Sequence, residues 1–131
     1  MTIATSRRSF CHILAGLIVF GFGRRAPTSA DPLVRRLSQF FADADSAKVV
    51  GREYLRAVPT EAEQSRLLDL ICAASAAGRT ELVRADDTLL RALLVLRQRH
   101  DFEHGRVVRV RGWILSETEC RLCALAVVAA V

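Results

Sequence analysis

The run Ser116-Glu117-Thr118-Glu119-Cys120-Arg121-Leu122-Cys123-Ala124-Leu125-Ala126-Val127-Val128-Ala129-Ala130-Val131 decides the fold class. Ser116 followed three residues later by Glu119 is a capping box, in which each side chain satisfies the other residue's backbone N–H at a helix start. From Leu122 to Val131 the run is apolar nearly all round. Such a helix is either the centre of a core or a face that needs a partner.

Working upstream, Arg106 to Arg111 alternates Val107, Arg109 and Arg111 against Val108 and Val110, which predicts a short strand. Gly112 turns the chain, so that Trp113-Ile114-Leu115 pairs back or packs on the helices. Asp86 or Asp87 caps a helix bearing Leu89, Leu90, Leu93, Leu94 and Leu96, which stops at Gly105. Thr80 to Ala85 adds a further turn. Thr60 with Glu63 reads as another capping box, opening a helix through Leu67, Leu68, Ile71 and Cys72 to Gly78. Ser46 caps a helix through Val49, Val50, Tyr54 and Leu55 that ends near Pro59. Asp31-Pro32 is a cap with proline in the first turn, followed by one stripe of Leu33, Val34, Leu37, Phe40 and Phe41. The expected architecture is mainly α: a compact bundle of about five helices with one short β element near residues 106–115. Residues 31–131 form a single small domain.

The first thirty residues read differently. Arg7 and Arg8 precede an apolar run over residues 13–23 that is broken by Gly16, Gly21 and Gly23. Eleven residues fall far short of the ~20 that a membrane-spanning helix requires. Thr28-Ser29-Ala30 offers small residues for cleavage. The stretch resembles the twin-arginine (Tat) signal, Ser/Thr-Arg-Arg-x-Phe-Leu-Lys, at Ser6, Arg7, Arg8 and Phe10, with Cys11 and His12 in the last two places. That resemblance implies a signal peptide over 1–30, engagement of the Tat translocase and passage of a folded chain into the bacterial periplasm. Arg24 and Arg25 after the apolar run disfavour the unfolded-chain route. An uncleaved anchor and a buried N-terminal helix are the other readings of this stretch. No cysteine stands directly after the run to carry a lipid.

The whole chain carries a formal charge of +5, but Arg7, Arg8, Arg24 and Arg25 belong to the signal and the first acidic residue is Asp31. From residue 31 onward 15 basic residues face 14 acidic ones, which removes the electrostatic case for a nucleic-acid partner. No later segment is long and apolar enough to span a membrane.

Chemistry-bearing residues are few. His100 and His104 stand at i and i+4, one helix face, and Cys120 and Cys123 stand one turn apart on the last helix. Together they would make a His2Cys2 set suited to zinc. The bland reading is helix-end histidines meeting the helix dipole and buried apolar thiols. Glu117 and Glu119 beside Cys120 would raise a thiol pKa, which argues against a redox Cys-x-x-Cys. In an oxidising envelope Cys72 would be the partner for either thiol. Glu61/Glu63 and Asp86/Asp87 read as helix-start acids. No nucleophile elbow, phosphate loop or dinucleotide fingerprint is present, and no cofactor is evident.

The segment Asp101-Phe102-x-x-Gly105-x-Val107-Val108-x-Val110-x-Gly112-Trp113-x-Leu115-Ser116-x-Thr118-Glu119 resembles the C-terminal signature of small Tat-exported bacterial proteins. The resemblance implies no activity. The expected function is an exported periplasmic accessory protein, a small subunit or Tat escort of a larger periplasmic oxidoreductase, without catalytic activity of its own. Trp113, Leu122, Leu125 and Val128 are the expected contact. The alternative is a free-standing periplasmic metal-binding protein using His100, His104, Cys120 and Cys123.

Overall fold

A computed structural model describes residues 31–75 and 78–130. Asp31 accepts a hydrogen bond from the Leu33 N–H at 2.9 Å and Pro32 fills the first position of α1, Pro32–Leu37. Helix α2, Ala44–Ala57, starts one cap earlier than Ser46 would place it. The Asp43 carboxylate accepts from the N–H groups of Asp45 and Ser46, and the Ser46 hydroxyl donates to it at 2.6 Å. A charged acceptor at the N-terminus outcompetes a hydroxyl three residues in. Because α1 stops at Leu37, Phe40 and Phe41 lie in the α1–α2 connection rather than on the helical stripe, and pack against the core from there.

Pro59–Glu61 forms a short 3-10 turn, followed by α3, Gln64–Ala73. The expected Thr60–Glu63 capping box is absent, for Thr60 sits inside that turn and Glu63 occupies the cap without a side-chain bond. Helix α4, Gly78–Arg84, leads to α5, Asp87–Glu103, which Asp86 caps by accepting from the Leu89 N–H. Gly105, at φ +67°, supplies the left-handed residue that ends α5.

Strands β1, Val107–Val110, and β2, Trp113–Ser116, form an antiparallel hairpin in which Val107 faces Ser116 and Val110 faces Trp113. Its two-residue turn, Arg111-Gly112, holds both residues at positive φ, 50° and 87°. That is the geometry whose twist matches a hairpin. Ser116 then closes the capping box with Glu119 and opens α6, Glu117–Ala129.

Helix α6 is the centre of the fold. It packs against α1, α2, α3 and α5, and every residue from Leu122 to Ala126 is buried. Its closest neighbour is α2, which presents Ala47, Gly51 and Tyr54 at helical spacing. A Cβ on Gly51 would lie 2.6 Å from the Cys123 carbonyl carbon and 2.8 Å from Val127 Cγ2, so only glycine permits this approach. Around α6 the core gathers Leu33, Leu37, Leu67, Leu82, Leu90 and Leu94 from the remaining helices.

The protein is therefore mainly α, with six α-helices and one hairpin among the described residues. Helix α5 differs from expectation: Leu90 and Leu94 face the core, whereas Leu89 and Leu96 are exposed. Leucines occur on both sides of this helix, so periodicity alone does not choose between them. Among the described residues, no helix is long and apolar enough to cross a membrane.

Candidate functional site

The polar residues concentrate where α5, the hairpin and α6 meet. Asp101 is wholly buried. Its Oδ2 accepts from the Thr118 N–H at 3.0 Å and the Thr118 hydroxyl at 2.6 Å, and its Oδ1 accepts from Arg106 Nε at 3.0 Å. Arg97 Nε lies 3.5 Å from the same oxygen. Burial alone would raise the Asp101 pKa. The Thr118 and Arg106 hydrogen bonds and the Arg97 charge outweigh it, holding the carboxyl below the ordinary aspartate range. The backbone closes the junction, since Arg106 N–H donates to Asp101 O and Glu117 N–H to Arg106 O. Asp101 thus ties the end of one helix, the start of the hairpin and the start of the last helix to a single carboxylate.

His100 and His104 flank it at the surface, their rings stacked with centroids 4.0 Å apart. Arg97 and Arg106 both place guanidinium N–H groups against His100 Nδ1. A guanidinium only donates, so Nδ1 accepts and is spent on these contacts. His104 Nδ1 lies 2.8 Å from the His100 carbonyl and must carry the proton there. The His100 pKa is lowered, by local desolvation first and then by the positive fields of His104, Arg106 and Arg97. The two stacked rings form a surface cluster in which the arginines brace His100.

The cysteines lie elsewhere. Cys72, Cys120 and Cys123 are free and buried. Burial pushes all three thiols up, Cys123 to about 12, and the neighbouring Glu117 and Glu119 add to the shift at Cys120. The four residues of the His2Cys2 alternative are divided between surface and core. Among the described residues, no three His, Cys, Asp or Glu side chains group to hold a metal ion.

A second polar cluster joins elements distant in sequence. Arg121 on α6 donates through Nε and Nη2 to the two oxygens of Glu61, each at 3.1 Å, and Tyr54 Oη donates to Glu61 Oε2 at 2.8 Å. Burial and the Glu61 hydrogen bond keep the Tyr54 phenol protonated well beyond its usual range. Glu61, expected as a helix-start acid, instead anchors the 3-10 turn to α2 and α6. No local pattern announces a pairing sixty residues apart in the chain.

Between the α1–α2 connection and α5 lies an open apolar groove of about 430 Å³, walled by Phe40, Phe41, Val50, Leu94, Leu115 and Leu122. The carboxylates on its rim are engaged in helix starts, Asp43 at α2 and Glu119 in the capping box of α6. The Arg91 guanidinium stacks 4.9 Å over the Phe40 ring. The groove offers apolar surface and no acid–base pair.

The expected contact residues divide sharply. Leu122 and Leu125 are core, at 4% and 0% exposure, because α6 resolves as the central helix, and Val128 packs against that core. Leu122 and Leu125 give no surface to a partner in this fold, whereas Val128 keeps part of its side chain exposed. Trp113 is 72% exposed at the start of β2, with the exposed Ile114 beside it. Sequence reasoning missed a third feature, the exposed apolar side chains on the outer face of α5: Leu89, Val95, Leu96 and Phe102. Ser6, Arg7, Arg8 and Phe10 lie outside the described residues. Comparison with protein-family models, with curated proteins and with solved structures finds no match to this chain.

Proposed function

We propose that this chain is an exported accessory protein of the bacterial periplasm, travelling by the twin-arginine route and escorting or joining a larger folded partner. A periplasmic oxidoreductase without its own signal is the class of partner that this route suits. The supporting observation is Trp113. A tryptophan left mostly in water beside an exposed isoleucine, on a hairpin whose base is fixed by Asp101, has the character of an interface anchor. The chemistry-bearing groups point the same way, because the buried carboxylates and arginines are spent on one another and the thiols are immersed in the core.

The reading is tested with tagged full-length chain expressed in its native host. A stoichiometric second protein should co-purify from the periplasm, and Trp113→Ala should release it without altering the melting temperature. Replacing Arg7 and Arg8 with lysine should strand both proteins in the cytoplasm. A partner that still reaches the periplasm in that variant, or a chain exported in cells lacking the translocase, overturns the proposal.

A further inference from the structure

We propose that α5 is a self-association face, on which two copies of this chain pack antiparallel about a two-fold axis passing between Val95 and Leu96. This rests on features separate from the hairpin and does not depend on the partner proposed above.

At about 100° per residue, Thr88, Leu89, Ala92, Val95, Leu96, Arg99, Phe102 and Glu103 fall within an arc of roughly 140°, opposite the buried Leu90, Leu94 and Asp101. All eight are exposed. Leu89 is 51% exposed, Leu96 61% and Phe102 47%. A helix whose core face is already satisfied gains nothing within the monomer from a second apolar stripe. Such a stripe marks a contact.

The stripe reads the same in both directions about its midpoint. In an antiparallel pairing centred between Val95 and Leu96, Leu89 meets Phe102 of the second copy, Ala92 meets Arg99, and Val95 meets Leu96. Each large side chain meets an apolar counterpart, and the small Ala92 leaves room for the Arg99 stem. This reciprocity, in which residue i contacts j and j contacts i, is what a two-fold interface requires.

Charge selects the same direction. The start of α5 carries Asp86 and Asp87 at its positively polarised end, and its last turns carry Arg97 and Arg99 against one exposed acid, Glu103. Antiparallel packing places acidic starts beside basic ends and opposes the helix dipoles. Parallel packing would set Arg99 against Arg99 and like dipole ends together. The strip is one helix wide and ~20 Å long, at the small end of interface sizes. The association is therefore reversible, with a dissociation constant on the order of 100 μM.

Sedimentation of the full chain from about 10 μM to 1 mM should show a monomer–dimer equilibrium, weakened at least tenfold by Leu96→Glu and by Leu89→Lys. Both positions are exposed, so far-UV circular dichroism and melting should stay unchanged. Register is read by cross-linking in a Cys11→Ser background, mixing Ala92→Cys protein with Arg99→Cys protein under mild oxidation. The 92–99 disulfide between copies should dominate over 92–92. A monomer throughout the range, an association indifferent to Leu96→Glu and Leu89→Lys, or a dominant 92–92 product overturns the inference.

Discussion

Replacing Gly51 by alanine should destabilise the protein, although alanine is the better helix former by about 1 kcal/mol. The added methyl group would enter the α2–α6 crossing, 2.6 Å from the Cys123 carbonyl carbon and 2.8 Å from Val127 Cγ2. The first obstacle is main chain at the middle of the central helix and cannot rotate aside. Overpacking of this kind costs roughly 1–3 kcal/mol, and an immovable neighbour places it near the upper value. Set against the propensity gain, the net loss is about 2 kcal/mol. In a domain of this size that lowers the melting temperature by roughly 10 °C. Thermal unfolding followed by far-UV circular dichroism measures it, with Arg52→Ala, an exposed neighbour on the same helix, expected to melt like the parent. A Gly51→Ala protein as stable as the parent, or more so, would refute the close approach of α2 and α6.

Asp101→Ala should cost about 3 kcal/mol in urea unfolding, because it strands the Thr118 N–H and removes the carboxylate from Arg106 and Arg97. Since the folded-state pKa of Asp101 is depressed, its contribution is present above the unfolded value of about 3.9 and fades as pH falls through the lower folded value. An Asp101→Asn protein should lack that part of the acid sensitivity, and an identical pH–stability curve would contradict the assignment. The thiols of Cys72, Cys120 and Cys123 should resist an aromatic disulfide reagent at pH 8 in a Cys11→Ser background, then react together on denaturation. Fast reaction of any one of them in the native state would show that it is not enclosed.

Much of the fold could be read from short-range chemistry. The Asp31-Pro32 start, the Asp86 cap, the Gly105 stop and the Ser116–Glu119 box are each decided within four residues, and each is found where the residues place it. The Arg111-Gly112 turn likewise permits the hairpin by its own backbone geometry. Failures arose where two local solutions compete. Asp43 displaces Ser46 as the α2 cap because a carboxylate accepts more strongly than a hydroxyl, and a proline-led 3-10 turn consumes Thr60 before it can pair with Glu63.

The site was less legible. An all-apolar helix satisfies either a core or a partner equally well in one dimension. Only the packing of four helices around α6 shows that Leu122 and Leu125 belong to the core. The same ambiguity conceals the outer face of α5, where leucines on opposite sides give no single stripe. The Glu61–Arg121 and Asp101–Thr118 bonds join residues that no spacing rule connects. His100 and His104 do share a helix face, yet one of the two arginines on His100, Arg106, comes from the connection beyond the helix.

The order of elements along the chain has a consequence for biosynthesis. The helix around which four others gather follows all of them in sequence, so a growing polypeptide holds α1 to α5 with nothing for their greasy sides to enclose. Until residues 117–129 clear the ribosome, those segments stay within reach of chaperones and proteases. Completion is then abrupt, one late helix joining its waiting neighbours, and ribosome-stalled chains ending before Glu117 should remain protease-sensitive, while chains with an added C-terminal linker that holds residues 117–129 clear of the exit tunnel become resistant.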